Sequence, residues 1–153
     1  MANTESNQCD ICGCALSRGG SAYATPTLAG RAHASRHHYV AERFFGRSKN
    51  TKHANERLSV FSESPWPGQE GRTGTFCYEC HELILHNPVL LKADVEAFAA
   101  LVKIRKLSEA AKTESRTNLA GRIQLLHEVI EAGLHVLSRQ AAIETGSASS
   151  RPT

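Results

Sequence analysis

Two pairs of cysteines and a group of histidines are the residues whose types and spacing could do chemistry in this chain. Cys9 and Cys12 form a C-x-x-C in "CDICG", and Cys77 and Cys80 repeat that spacing in "CYECHELILH". Two thiols three positions apart on a turn can reach one ion, and four thiolates make a closed tetrahedral set that suits structural zinc. Each pair alone is only suggestive, whereas the combination is specific. The plainer alternatives are a redox pair or four unrelated thiols, and a catalytic zinc is disfavoured because four thiolates leave no open position. Gly13 directly follows the first pair, as a zinc knuckle requires where its turn needs a positive φ. The second pair opens a helix, whose positive pole favours thiolate. Cys14 is left over, either as a buried free thiol or as a substitute for Cys12.

The histidines offer a second chemistry. His37 and His38 are consecutive, and His81 follows Cys80 directly. Imidazole, with an ordinary pKa of about 6.5, can accept a proton at neutral pH or bind a divalent ion. The first two lie in a cationic stretch. Arg31, Arg36, Arg43, Arg47, Lys49, Lys52 and Arg57 stand there against Glu42 and Glu56, a surplus of five in a chain whose net charge is +3. That local patch points to an anionic partner. The bland reading is a solvated basic face carrying surface histidines. Glu82 after His81 begins the metalloprotease pattern H-E-x-x-H, but the next histidine, His86, is five positions on. At about 100° per residue of α-helix the two rings stand about 140° apart, so one ion is not expected to take both. His86 is expected instead to end the helix, where a cation suits the negative pole.

The elements that must position these groups follow from composition and period. A length of 153 residues is one ordinary domain, or a small domain with a helical appendage. No apolar run approaches membrane-spanning length, and the start lacks the features of a signal peptide, so a cytoplasmic protein without a membrane partner is expected. After the first cysteine pair comes a Gly-rich turn whose Tyr23 and Thr25 suit short strands, and "HHYVAERFF" fits either a strand or a short helix. "SESPWPGQEGRTG" is a loop. "HELILH" is helical and stops at Asn87-Pro88. Asp94 can cap a helix running to about Leu107, and a longer helix is expected from Lys112 to Gln140. Leu119, Ile123, Leu126, Ile130 and Leu137 make one stripe on it, which must bury in a helical hairpin or in a dimer seam. Gly121 and Gly133 interrupt that pattern at about 1 kcal/mol each relative to alanine. The expected division is 1–90 for a zinc-binding domain, 91–142 for a helical extension and 143–153 for a disordered tail.

A knuckle, a hairpin and then a C-x-x-C opening a helix is the order of parts in a treble-clef zinc finger, with the metal replacing much of a core. The expected class is therefore α+β, with a C-terminal helical pair. Sixty-four residues separate Cys12 from Cys77, room for an inserted function. What fills that room, "HASRHHYVAERFFGRSKN", together with "CYECHELILHN", resembles the HNH endonucleases of the ββα-metal class, including members with two C-x-x-C pairs. The resemblance spans roughly residues 9 to 87. It implies that His38 is the general base and that His37 and His81 hold a divalent metal, magnesium or another, beside the structural zinc. It further implies that Asn50 or Asn55 orients the base. His37 departs from the acid common at its position. Arg36, Arg43, Arg47 and Lys49 would then grip flanking phosphates. The function implied is hydrolysis of nucleic-acid phosphodiesters, DNA in particular. The competing expectation is a zinc module that binds nucleic acid or a protein partner without catalysis, with the long helix as interaction surface or homodimer seam.

Overall fold

The computed structural model describes residues 7–47 and 59–148. The fold is mixed α/β, with a small two-stranded antiparallel sheet and C-terminal helices, and the chain divides into two compact units, residues 1–91 and 92–153. In the first unit the order is α1 (Leu28–Arg31), β1 (Ala34–His38), a 3-10 turn (Glu42–Phe45), β2 (Thr73–Cys77) and a π-helix (Glu79–Leu85). No helix among the described residues is long and apolar enough to cross a membrane.

The first cysteine pair sits on a tight knuckle. Gly13 takes φ +73°, donates its N–H to Cys9 O at 2.9 Å, and is followed by a return bond from Cys9 N to Cys14 O at 2.9 Å. The positive φ expected of this glycine is present, since a side chain there would meet its own backbone. Asp10 fastens the knuckle to β2: its N–H donates to Thr75 O at 3.0 Å, and its Oδ2 accepts from Thr75 N at 2.8 Å. Tyr23 and Thr25 do not form the expected strands. Thr25 Oγ1 donates back to Ala22 O at 3.0 Å, and Thr27 Oγ1 caps α1 by accepting from Gly30 N at 3.3 Å. Such local side-chain bonds favour turns over a ladder.

The ambiguous "HHYVAERFF" is both things in succession. Its first part pairs β1 with β2, His37 opposite Gly74 and His38 opposite Thr73, and the chain then bends into the 3-10 turn, closed by Gly46 at φ +67°. Gly74 is required where it stands. A Cβ there would lie 2.5 Å from Phe76 Cζ and 2.8 Å from Tyr39 Oη, so only glycine lets Phe76 fold beneath the sheet. Phe76 is buried with Cys9, Cys77 and Cys80, and Cys14 and Leu16 pack against this cluster. Three of its four members are thiols, so apolar burial alone is a thin reason for this unit to fold. A smaller aromatic group lies elsewhere in the unit, where buried Phe61 meets Phe44 at 6.0 Å and Trp66 at 5.6 Å between ring centroids.

In the second unit α2 covers Lys92–Ile104 and α3 covers Thr117–Ala148. Asp94 does not cap α2, which begins two residues earlier and keeps that carboxylate in its first turn, near the positive pole. The second helix starts later than Lys112 and passes Gln140, and the segment from 143, expected to be unstructured, is helical through Ala148. The turn between the helices is held by Arg122, which donates to Leu107 O at 2.7 Å and to Glu109 Oε1 at 3.0 Å. Leu125 is buried on α3, whereas Ile130 and Leu137 of the expected stripe are 52 % and 63 % exposed within the chain.

The two glycines of α3 differ in purpose, which gives a first prediction. A Cβ on Gly121 would lie 2.5 Å from Leu107 Cδ2, while nothing lies within 4 Å of one on Gly133. Gly133→Ala is expected to stabilise the helix by about 0.5–1 kcal/mol through propensity alone. Gly121→Ala is expected to gain nothing net, because Leu107 must move. Thermal midpoints and helical ellipticity of the two variants check this, and equal gains would contradict the packing role of Gly121.

Candidate functional site

Among the described residues two groups of metal-ligating side chains form, one of thiols and one of imidazoles. In the first, the sulfurs of Cys9, Cys12, Cys77 and Cys80 all lie within 4.8 Å of one another, and these four cysteines can bind a metal ion such as zinc. Cys12 Sγ and Cys77 Sγ are 3.9 Å apart. The edge of a tetrahedron of sulfurs around zinc, at a Zn–S distance of about 2.3 Å, is about 3.8 Å, so the residues fit the ion. Backbone N–H groups are already aimed at the sulfurs: Cys80 N lies 3.4 Å from Cys77 Sγ.

Two of the four thiols are shifted in opposite directions by their surroundings. Burial pushes Cys9 up, but N–H donors from Cys12, Cys77 and Ile11 outweigh it and hold this thiol at about 6. Burial, and then the neighbouring sulfurs of Cys77, Cys9 and Cys12, push the Cys80 thiol far up. One thiolate is stabilised at the expense of another. A divalent ion removes that conflict by neutralising all of them. Cys14 stands outside the foursome, so it does not replace Cys12; burial and the adjacent Cys12 and Cys77 push its thiol up to about 12.

The second group is His37, His81 and His86. His37 Nδ1 lies 3.2 Å from His81 Nε2 and 3.2 Å from His86 Nε2. Here the helix expectation fails. The segment Glu79–Leu85 winds as a π-helix, and His86 N donates to His81 O at 3.2 Å, the i to i+5 bond of that geometry. The wider turn brings positions five apart onto one side, and the two ring centroids are 4.3 Å apart instead of facing away from each other. His86 is thus a member of the cluster that α-helical arithmetic excluded.

Three ring nitrogens meeting at hydrogen-bond distance cannot all be satisfied by neutral imidazoles, since a single proton on His37 Nδ1 serves one neighbour well. A cation accepting three lone pairs satisfies all of them. Burial first, and then the repulsion of His81, His86 and His38, lower the pKa of His37, which keeps its lone pair free. The donor set is entirely nitrogen. That does not support magnesium, a hard ion that takes oxygen ligands, and it suits zinc, nickel or cobalt. Glu82 backs the cluster, its Oε2 3.3 Å from His86 Nδ1.

Both groups are tied to one short scaffold. Cys77 ends β2, Cys80 and His81 are consecutive in the π-helix, and the Phe76 ring of the thiol cluster meets the His37 ring edge-on at 6.4 Å. The imidazoles open on a cleft of about 650 Å³ that His38, Glu42, Arg36 and Arg43 also line. Glu42 Oε1 lies 3.4 Å from His38 Nε2, because the 3-10 turn brings the chain back over the end of β1. Arg47 does not line this cleft; it pairs with Glu70 at 3.0 Å and covers the Phe45 ring at 5.1 Å. Asn50, Asn55 and Lys49 lie outside the described residues.

Sequence reasoning therefore named His37, His38, His81, Arg36 and Arg43, which the fold brings to one cleft, and missed His86, Glu42 and Glu82. The i, i+4 spacing of His38 and Glu42 was the one signal that could have pointed to the second of these. Neither protein-family models, nor curated proteins, nor solved structures give a match to this chain.

Proposed function

We propose that the chain is a metal-dependent phosphodiesterase acting on nucleic acid, with an HNH-type site carried on a treble-clef-like zinc scaffold. One observation carries this reading: the ring nitrogens of His37, His81 and His86 converge within 4.8 Å in a cleft also lined by His38 and two arginines. A phosphodiester is a stable anion, and its cleavage needs an activated water and positive charge near the phosphate. The cleft contains groups suited to both.

In this reading His37, His81 and His86 would hold a divalent ion, which when bound would supply Lewis-acid neutralisation of charge developing on the phosphate and the leaving oxygen. His38 is the base. With Nε2 toward the Glu42 carboxylate, which only accepts, Nδ1 keeps the lone pair that takes a proton from water. Glu42 orients the ring, a role the resemblance gave to an asparagine, and also stabilises the imidazolium. Arg36 and Arg43 hold the phosphates to either side, and a contact of this kind carries no base code. The Cys9, Cys12, Cys77, Cys80 site, closed by four sulfurs, is structural.

The test is relaxation of supercoiled plasmid by the zinc-loaded protein with added Ni²⁺, Co²⁺, Mn²⁺ or Mg²⁺. Nicking is expected with the nitrogen-preferring ions and weak or absent with Mg²⁺. A protein that binds DNA in a salt-sensitive manner but nicks it with none of these ions would overturn the enzymatic reading and leave a binding module.

A further inference from the structure

Glu82 stands where the histidine cluster meets the loop that follows the knuckle. Its Oε1 accepts from Tyr23 Oη at 2.7 Å, across 59 positions of sequence, and its Oε2 accepts from His86 Nδ1 at 3.3 Å. The same Oε1 lies 2.8 Å from His81 Nδ1, a close charge contact off the line of a hydrogen bond, which leaves that buried nitrogen without another partner. Tyr23, 45 % exposed, stands edge-on to His33 at 5.4 Å and to Tyr78 at 5.1 Å. Its hydroxyl remains a donor, because the Glu82 hydrogen bond, and then burial, push it up to about 12.

An ionised carboxylate only accepts, so the tautomer of His86 follows. Nδ1 carries the hydrogen and Nε2 presents its lone pair to the cluster. The same negative charge beside His81 Nδ1 favours N–H there and a lone pair on the Nε2 that faces His37. Without the carboxylate each ring could turn its N–H inward, where it would repel an ion. A carboxylate behind ligating imidazoles also raises their basicity. Among the described residues Glu82 is the acid placed to do this for two rings at once, and Tyr23 bonds it from a different part of the chain.

We propose that Glu82, held by Tyr23, is the positioning residue that presets His81 and His86 as lone-pair donors and so sets the affinity of the three-histidine site for zinc-like ions. This rests on the reading of His37, His81 and His86 as metal ligands, and it does not depend on whether the protein cleaves nucleic acid.

The experiment is a Co²⁺ titration of the full chain with zinc already in the cysteine site, followed by the visible absorption of nitrogen-ligated cobalt. Cobalt on sulfur is recognised by its separate thiolate charge-transfer band. Glu82→Ala is expected to weaken Co²⁺ binding about 10- to 100-fold. Glu82→Gln should fall between, since one amide oxygen can still accept from one ring, and Tyr23→Phe should lose a few-fold. Imidazole ¹⁵N shifts give a readout that a purely structural role would not move: His86 is expected to be Nδ1–H in the parent and to lose that preference in Glu82→Ala. Should Glu82→Ala lose its zinc, Tyr23→Phe and Glu82→Gln decide the matter. Parental Co²⁺ affinity in these variants would overturn the role of Glu82 while leaving the histidine site standing. Uptake of Co²⁺ only on sulfur by the parent, or undiminished nitrogen-site uptake by His37→Ala, would instead overturn the metal site itself.

Discussion

On the proposed mechanism, replacing His38 with alanine is expected to lower nicking by about 10²- to 10⁴-fold, the usual contribution of a positioned general base, without changing metal uptake at either proposed site. The separation is what makes the result informative. His38 lines the cleft but is not one of the three rings whose nitrogens meet, so its removal should not change Co²⁺ or Ni²⁺ uptake. His86→Ala should do the opposite first: ion uptake at the nitrogen site falls, and cleavage falls with it. Glu42→Gln should lie between the parent and His38→Ala, since the amide still orients the ring but no longer stabilises its cationic form. Plasmid relaxation and metal titration on the same four proteins check all three statements. Equal nicking by the parent and His38→Ala would remove this residue from the chemistry. An unchanged rate in His86→Ala would show that the π-helical placement of that ring has no consequence for cleavage.

The second large effect concerns the thiols. Cys77→Ser or Cys80→Ser is expected to unfold residues 1–91, and prolonged chelation of the parent should do the same. The reason lies in the size of the core. Cys9, Cys77 and Cys80 supply three of the four residues in its buried cluster, so removing the ion leaves close, partly charged thiols where an apolar core would otherwise be. Binding of structural zinc by zinc-finger peptides contributes about 10–16 kcal/mol, comparable to the whole stability of an ordinary domain. Cys14→Ser serves as the control. This thiol packs against the cluster without belonging to the foursome, so the variant should keep one zinc per chain and its fold. Zinc content, amide dispersion and thiol reactivity before and after chelation measure the outcome. Full dispersion in a zinc-free Cys80→Ser protein would show that the core suffices without the ion. The helices α2 and α3 form a separate unit and should keep their ellipticity throughout.

Much of this site was legible in the residues themselves. The two C-x-x-C pairs named the four cysteines whose sulfurs meet, because a turn of that length can point two sulfurs at one place wherever it occurs. The left-handed turn at Gly13 and the stop at Asn87-Pro88 were equally local matters. His81 could be suspected as a ligand because it follows Cys80 directly, but its meeting with His37 depends on β1 pairing with β2. The exposed half of α3 shows the limit of such reading: the stripe is plain in the sequence, yet among the described residues Ile130 and Leu137 remain 52 % and 63 % exposed.

His86 shows where local rules stop. At about 100° per residue an α-helix would turn His86 away from His81, and that geometry holds only for α winding. The choice between α and π winding rests on one hydrogen bond per turn, and no residue type in "CHELILHN" dictates it. Glu42 and Tyr23 are comparable cases, since their partners depend on a bend after β1 and on a contact across 59 positions. Residue type and short spacing thus determined which atoms are able to bind a metal or take a proton, because that chemistry belongs to the side chain. Tertiary structure alone decided which of those atoms face one another, because convergence depends on how distant segments pack and on backbone geometries that differ by little in local energy.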